Sequence, residues 1–296
     1  MSTPTDGNVT VSHLQPIILH AHPTSPNPHK IAIALEYLRV PYTVRLWQFG
    51  DDARRGVKGE DFLRITPNGR VPAIEDSNTG VVAWESGAIM NYLKRQYDTT
   101  NVLGPKSKGK EFSEQDRVDL ETWEYLLLTT LAPMTGQAVW FRHYHVPRNE
   151  DALDRYTKQV YHYLGVLEGQ LGRSGGRGTG EGRGEGTGGV TGGGTDTGKG
   201  TGMSMSILPG GISSVDCHFF PWVRPFEYVG ISLDGFPLVS KWCGFMAEQQ
   251  EVKDAYQKML DATALQDPAA TSRGLQPDEE LLREVQSRTP WRGAVA

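Results

Sequence analysis

Short apolar runs and helical stripes take turns along the first third of the chain. Pro16-Ile17-Ile18-Leu19-His20-Ala21 reads as a short buried strand, followed by the loop His22-Pro23-Thr24-Ser25-Pro26. Asn27-Pro28 then predicts a helix start, with Asn27 as N-cap and Pro28 at the first helical position, where its missing N–H costs nothing. Ile31, Ala34, Leu35 and Leu38 follow at helical spacing and predict one buried face. Val40-Pro41 ends that helix, and residues 42–47 alternate as a second strand. A polar stretch holding Arg54, Arg55 and Lys58 leads to a weak helix at residues 61–65. Ala73-Ile74 and residues 81–84 predict two hairpin strands, which run into a helix reading AIMNYLKRQY that ends near Tyr97.

Beyond this point the pattern is helical. Residues 98–113 read as a linker from their Gly-Pro and Lys-Gly pairs. Val118, Leu120, Trp123, Leu126, Leu127 and Leu131 predict an inward helix face, which Pro133 is expected to kink or end before residues 137–144 continue. Leu153, Tyr156, Val160, Tyr163, Leu164 and Leu167 predict the inward face of a second helix over residues 150–171. About half of residues 172–202 is glycine; such a stretch cannot bury enough apolar surface to offset its ordering entropy and is expected to be a disordered insert. Lengthening a loop by this much costs only about 2 kcal/mol, so a fold can carry it. Residues 193–199 match the start of a phosphate-binding loop, but Gly200 stands where Ser or Thr would hold magnesium and no strand precedes it. That match is rejected. Ser213-Ser214-Val215-Asp216 predicts a capping box that opens a helix reading CHFFPWV. Gly235-Phe236-Pro237 opens another through Met246, and residues 252–260 form a last one. The expected division is therefore a disordered start at 1–15, an α/β domain at 16–97, the linker, an all-helical domain at 114–260, and a polar tail at 261–296 with one short helix at 279–285.

Composition narrows the classes. The chain of 296 residues has room for two domains. A net charge of −5 argues against a nucleic-acid or anionic-membrane surface. The N-terminal run is polar, with no signal or transit character. No apolar stretch approaches the roughly 18 residues of a membrane span. Cys217 and Cys243 fit no disulfide or metal framework, which points to a reducing, cytoplasmic setting. No metal is expected either. His20 and His22 lack a ligating partner, although one of them could line a site, and His143 and His145 do not share a helix face.

Candidate chemistry concentrates in residues 66–90. Asn68-Gly69-Arg70-Val71-Pro72 ends in a proline that is a candidate cis peptide, which would turn the Val71 backbone outward to pair with an extended peptide. Trp84-Glu85-Ser86-Gly87 opens the following helix, whose free N–H groups suit a carboxylate while Glu85 suits an ammonium. Together they could hold a small peptide with a free α-amino-acid end. This pair of motifs, in this order and about a hairpin apart, resembles the glutathione-binding half of the glutathione S-transferase family. The runs MTGQAVWFRHYHVP and RYTKQVYHYLGVLEGQL are similar to the helical domain of the fungal and bacterial subgroup related to the yeast nitrogen-catabolite regulator.

The resemblance implies an N-terminal thioredoxin-like domain followed by a helical domain of the transferase type. It implies Arg70, Val71, Glu85 and Ser86 as contacts to glutathione, with a further basic contact from Arg54, Arg55 or Lys58. A thiol of pKa near 8.5 needs about 2.7 kcal/mol of anion stabilisation to fall by two pH units. With no Tyr or Cys at the first strand–helix turn, hydroxyl or amide donors would supply it. Asn27 matches the subgroup's residue near the sulfur, against the simpler role of helix cap, and Ser25 matches its hydroxyl, with Thr24 as substitute. The resemblance further implies that the capping-box Asp216 stabilises the fold, and that the protein is a cytoplasmic homodimer. The implied activity is conjugation of glutathione thiolate to a small hydrophobic electrophile, in detoxification or fungal secondary metabolism. Glutathione-dependent disulfide reduction and non-catalytic regulation are the alternatives. Trp140, Phe141 and Tyr144 are candidates for the electrophile pocket or for core.

Overall fold

The computed structural model describes residues 14–106, 111–176 and 205–266. The expected features at 1–13, 177–204 and 267–296, including most of the glycine insert and the helix at 279–285, lie outside the described residues.

The thioredoxin-like domain is built on a four-stranded sheet in the order β2-β1-β3-β4. β1 (Ile17–Ala21) pairs parallel with β2 (Tyr42–Leu46) and antiparallel with β3 (Ala73–Asp76), which pairs antiparallel with β4 (Val81–Trp84). Helix α1 (Pro26–Tyr37) crosses between β1 and β2, α2 (Glu60–Leu63) precedes β3, and α3 (Ser86–Tyr97) follows β4. Asp76 accepts hydrogen bonds from the Tyr92 and Tyr97 hydroxyls, which ties the hairpin to α3. Ile31, Ala34, Leu35 and Leu38 are buried as expected, but so is every residue from Pro28 to Leu35. Besides α3, two helices of the second domain pack on α1, so it has no solvent face over that stretch.

The helix start differs from expectation. Ser25 is the N-cap and Pro26 stands at the first turn, so Asn27 lies inside α1. Either proline could open the helix; with Asn27 drawn into a contact from the helical domain, the chain uses the first.

The helical domain contains α4 (Glu114–Leu126), α5 (Ala132–His143), α6 (Glu150–Gly176), α7 (Ser214–Val223), α8 (Phe226–Val229), α9 (Pro237–Glu248) and α10 (Gln250–Gln266). Pro133 neither ends nor sharply separates the segments: a π turn over Leu127–Leu131 joins α4 to α5. Thr129 Oγ1 bonds the Tyr125 carbonyl at 2.8 Å, and Thr130 Oγ1 bonds that of Leu126, where the regular ladder is shifted. Leu120, Leu127 and Leu131 are buried, whereas Val118 is exposed. Helix α6 runs through Gly176, into the stretch expected to be disordered.

Helix α10 continues past residue 260 to Gln266. The Gln266 amide donates to the Val44 carbonyl at 2.8 Å and accepts from the Leu46 N–H at 3.0 Å. It satisfies backbone groups on β2, an edge strand that would otherwise leave them unpaired.

The capping box at α7 is present as expected. Asp216 is fully buried and accepts from the N–H groups of Ser213 (3.0 Å) and Ile207 (3.0 Å) and from Trp242 Nε1 (2.9 Å). One carboxylate therefore joins α7, α9 and the segment that leads into α7.

Candidate functional site

A loop, a hairpin exit and two helix starts meet at one cleft. Val71 and Ala73 are buried in a small core with Trp47, Val57 and Phe62, which fixes the loop from below. Gly69 turns at φ +57°, and a Cβ there would approach the Val57 carbonyl to 2.6 Å, so no larger residue fits. The Val71–Pro72 peptide is cis. Glu85, the N-cap of α3, holds φ +69°, a conformation that costs a non-glycine residue about 1–3 kcal/mol and is concentrated at functional sites.

Asn27, Asn68, Arg70, Val71, Pro72, Glu85 and Ser86 line the resulting cleft of about 270 Å³. Five of the six candidate residues thus share one surface. Ser25 lies at the start of α1 outside that lining, with no side-chain cap bond. Asn68, which lines the cleft beside them, donates to Glu85 Oε1 at 3.1 Å. Of the three candidate basic contacts, Lys58 faces the loop, donating to the Asn68 carbonyl at 2.7 Å. The backbone N–H groups of Arg54 and Arg55 are held by Asp52.

The starts of α1 and α3 both lack a side-chain cap bond, whereas α4 and α7 each begin with a complete capping box. Pro26 and Pro28 have no N–H and Ser25 N–H bonds the His22 carbonyl, so Asn27 supplies the backbone donor of the first turn. Its side chain is oriented from the other domain. Trp222 Nε1 donates to Asn27 Oδ1 at 2.9 Å. An indole N–H can only donate, so it sets the amide orientation and leaves the Nδ2 hydrogens for the cleft. Trp222 was not legible as a site residue, because nothing local to it marks a contact spanning so much of the chain.

Lys30 is the other residue missed by sequence reasoning. It lies one turn beyond Asn27, is fully buried, and points its ammonium toward Ser86 Oγ at 3.5 Å. Burial lowers its pKa to about 7, partly offset by Glu85. His29 donates from Nδ1 to the Ser25 carbonyl (2.9 Å), and burial brings its pKa down to about 4, so it is a neutral brace for the turn.

Other residues singled out in the sequence lie outside the lining of this cleft. His20 lies in the core, accepting at Nδ1 from Trp47 Nε1 (2.9 Å) and donating from Nε2 to Glu75 (2.8 Å). Cys217 is buried, and burial holds the thiols of Cys217 and Cys243 above their ordinary pKa. Trp140 stacks on Tyr144 and Phe141 on Tyr156; Trp140, Phe141 and Tyr144 do not line this cleft. Among the described residues no cluster of three or more His, Cys, Asp or Glu could hold a metal ion, and no helix is long and apolar enough to cross a membrane.

A thioredoxin-like sheet domain abutting a helical domain, with a cis-proline loop facing a helix start, defines a protein of the glutathione-transferase type. Residues 24–96 match the family model of the glutathione S-transferase N-terminal domain. Protein URE2 of Candida albicans is 32% identical over 242 residues, 80% of this chain and 68% of that protein. The glutathione S-transferase-like protein OpS6 of Beauveria bassiana is 36% identical over 166 residues, 56% of this chain and 71% of its own. The solved structure of Ure2p in complex with S-hexylglutathione matches with a TM-score of 0.66 at 26% identity, covering 83% of this chain and 100% of the other. The chain belongs to the glutathione S-transferase family, in the part of it related to URE2.

Proposed function

We propose that the protein binds glutathione in this cleft and directs its thiolate at a small hydrophobic electrophile. The observation that carries this is the pair of helix starts, α1 and α3, that open uncapped beside one cleft, with Asn27 turned into a donor by Trp222. In this reading the γ-glutamyl carboxylate meets the N–H groups and hydroxyl at Ser86, and Glu85 takes the ammonium. The peptide backbone pairs with Val71, and Arg70 and Lys58 supply positive charge along it. The thiol lies toward Asn27 and Ser25, where amide, hydroxyl and helix-start donors favour the anion over the thiol. Glutathione leaves its thiol proton to solvent, and the sulfur displaces a leaving group or adds to an electron-poor carbon. Related structures contain Ure2p bound to glutathione and to S-hexylglutathione, which supports the ligand.

A second reading, a glutathione-binding regulator without turnover, is favoured by one comparison: a nitrogen regulation fragment of yeast prion protein Ure2p matches at a TM-score of 0.66 and 25% identity. Steady-state turnover of glutathione with an activated aryl halide separates the two. Conjugation that falls at least tenfold in Trp222→Phe, with glutathione still bound, supports the transferase; binding with no turnover above the uncatalysed rate supports the regulator. Exposed Val82 and Trp84 on the edge strand β4 support a homodimer, to be checked by sedimentation.

A further inference from the structure

We propose that Lys30 is a positioning residue for the carboxylate end of the ligand: its buried amine gains a proton as an anion settles at the start of α3, and the resulting ammonium loses it when the anion leaves. This rests on the glutathione reading above.

Lysine is almost never fully buried unless paired, yet Lys30 is 0% exposed and forms no salt bridge among the described residues. Its surroundings explain what it is missing. From α3, Ser86 Oγ stands 3.5 Å away, long for a hydrogen bond, and the carboxylate that acts on Lys30 among the described residues, Glu85, is exposed and engaged by Asn68. From α7, the Trp222 ring lies with its centroid 5.7 Å from Nζ. His218, fully buried on the same helix, has neither ring nitrogen bonded and is kept neutral by burial and by Lys30 and Lys94. Lys94 is itself paired with Glu124 at 2.7 Å. From α10, the Tyr256 ring lies tilted against His29 at 4.4 Å between centroids, with the Arg224 guanidinium over the same ring at 4.7 Å, and from β1, His20 is committed to Trp47 and Glu75. Apart from the exposed Glu85, the ammonium therefore sits among neutral or cationic groups, and the cleft on the far side of Ser86 is where an anion can reach it.

The chemistry follows from the donor order. A protonated Lys30 donates to Ser86 Oγ and leaves the Ser86 O–H to donate into the cleft. A neutral amine can accept that O–H instead, turning the hydroxyl inward. Burial brings the Lys30 pKa down to about 7, so amine and ammonium both contribute near neutral pH. A carboxylate arriving on the other side of the hydroxyl favours the ammonium in a poorly screened setting, and the proton comes from the buffer.

Titration calorimetry with S-methylglutathione tests this, since that probe has no thiol proton to release. At pH 7.5, in two buffers of different ionisation enthalpy, binding should take up roughly 0.7 proton, and the dissociation constant should weaken about tenfold from pH 6 to pH 8. Lys30→Met keeps an unbranched apolar stem and should bind more weakly with no uptake and a flat pH profile. Lys30→Arg, which cannot lose its proton, should keep more affinity than Lys30→Met, also with no uptake. Wild-type binding without uptake, or uptake that persists in Lys30→Met, overturns the assignment and leaves the glutathione reading intact. No binding of S-methylglutathione overturns both. If Lys30→Met fails to fold, Lys30→Arg carries the same test: uptake that persists in it overturns the assignment.

Discussion

Replacing Asp216 with alanine should be the most damaging single change in the helical domain. The substitution strips the acceptor from three N–H groups, those of Ile207 and Ser213 and the indole of Trp242, all bonded at 2.9–3.0 Å to a fully buried carboxylate. Each donor left unsatisfied costs about 1–3 kcal/mol, and partial relaxation of the entering segment around Ile207 recovers some of this. The expected loss is about 3–5 kcal/mol, a large share of the 5–15 kcal/mol typical of a folded protein. Urea unfolding followed by tryptophan fluorescence reads it directly. The midpoint should fall by roughly 1–2 M at unchanged slope. Asp216→Asn should lose less, because its amide oxygen still serves one side of the cluster. A loss below about 1 kcal/mol in Asp216→Ala would refute the reasoning, since it would mean that three buried donors had found other partners.

Two further outcomes follow from the cleft. Glu85→Gly removes a positive-φ side chain, so stability should rise by up to about 1 kcal/mol while glutathione affinity falls as the ammonium anchor is lost; thermal unfolding and calorimetry on one sample check both signs. The unfolded chain holds the Lys30 proton up to an ordinary pKa near 10.5, whereas burial in the folded protein brings that pKa down to about 7. Between those values the unfolded state binds more protons, so stability should rise with pH. The full difference corresponds to about 5 kcal/mol. Urea midpoints from about pH 7 to 8.5, below the range where the buried cysteines act in the opposite sense, should climb in the wild type and be nearly level in Lys30→Met.

Much of the fold was legible because its signals are local. The hairpin strands, the turn at Val71-Pro72, the helix start after Glu85 and the capping box at Ser213 each depend on a few adjacent residues. The discrepancies share a different cause. Asn27 carries the signature of an N-cap, but Trp222, an element of another domain, takes its carbonyl oxygen and Ser25 becomes the cap. Lys30 carries no local signal of burial, yet α7 and α10 pack on α1 and it is fully buried. Pro133 carries the signature of a break, and a π turn with two back-bonding threonines carries the helix through it. The last helix reaches Gln266 because its amide pairs with β2, a strand far earlier in the chain. For the cleft, the loop and helix-start residues were visible as motifs, while the residues that orient and charge them arrive only through tertiary packing.

The most direct test of the proposed glutathione site is the pKa of the bound thiol, followed by the ultraviolet absorbance of the thiolate across pH, with calorimetry of wild type and Ser86→Ala on the same samples. Binding that weakens about tenfold or more in the variant, as loss of a hydrogen bond to a charged group should cause, is expected together with a thiolate pKa well below the free value near 8.5. A thiol that titrates in the complex as it does in water would contradict activation at α1, and no binding at all would contradict the site itself.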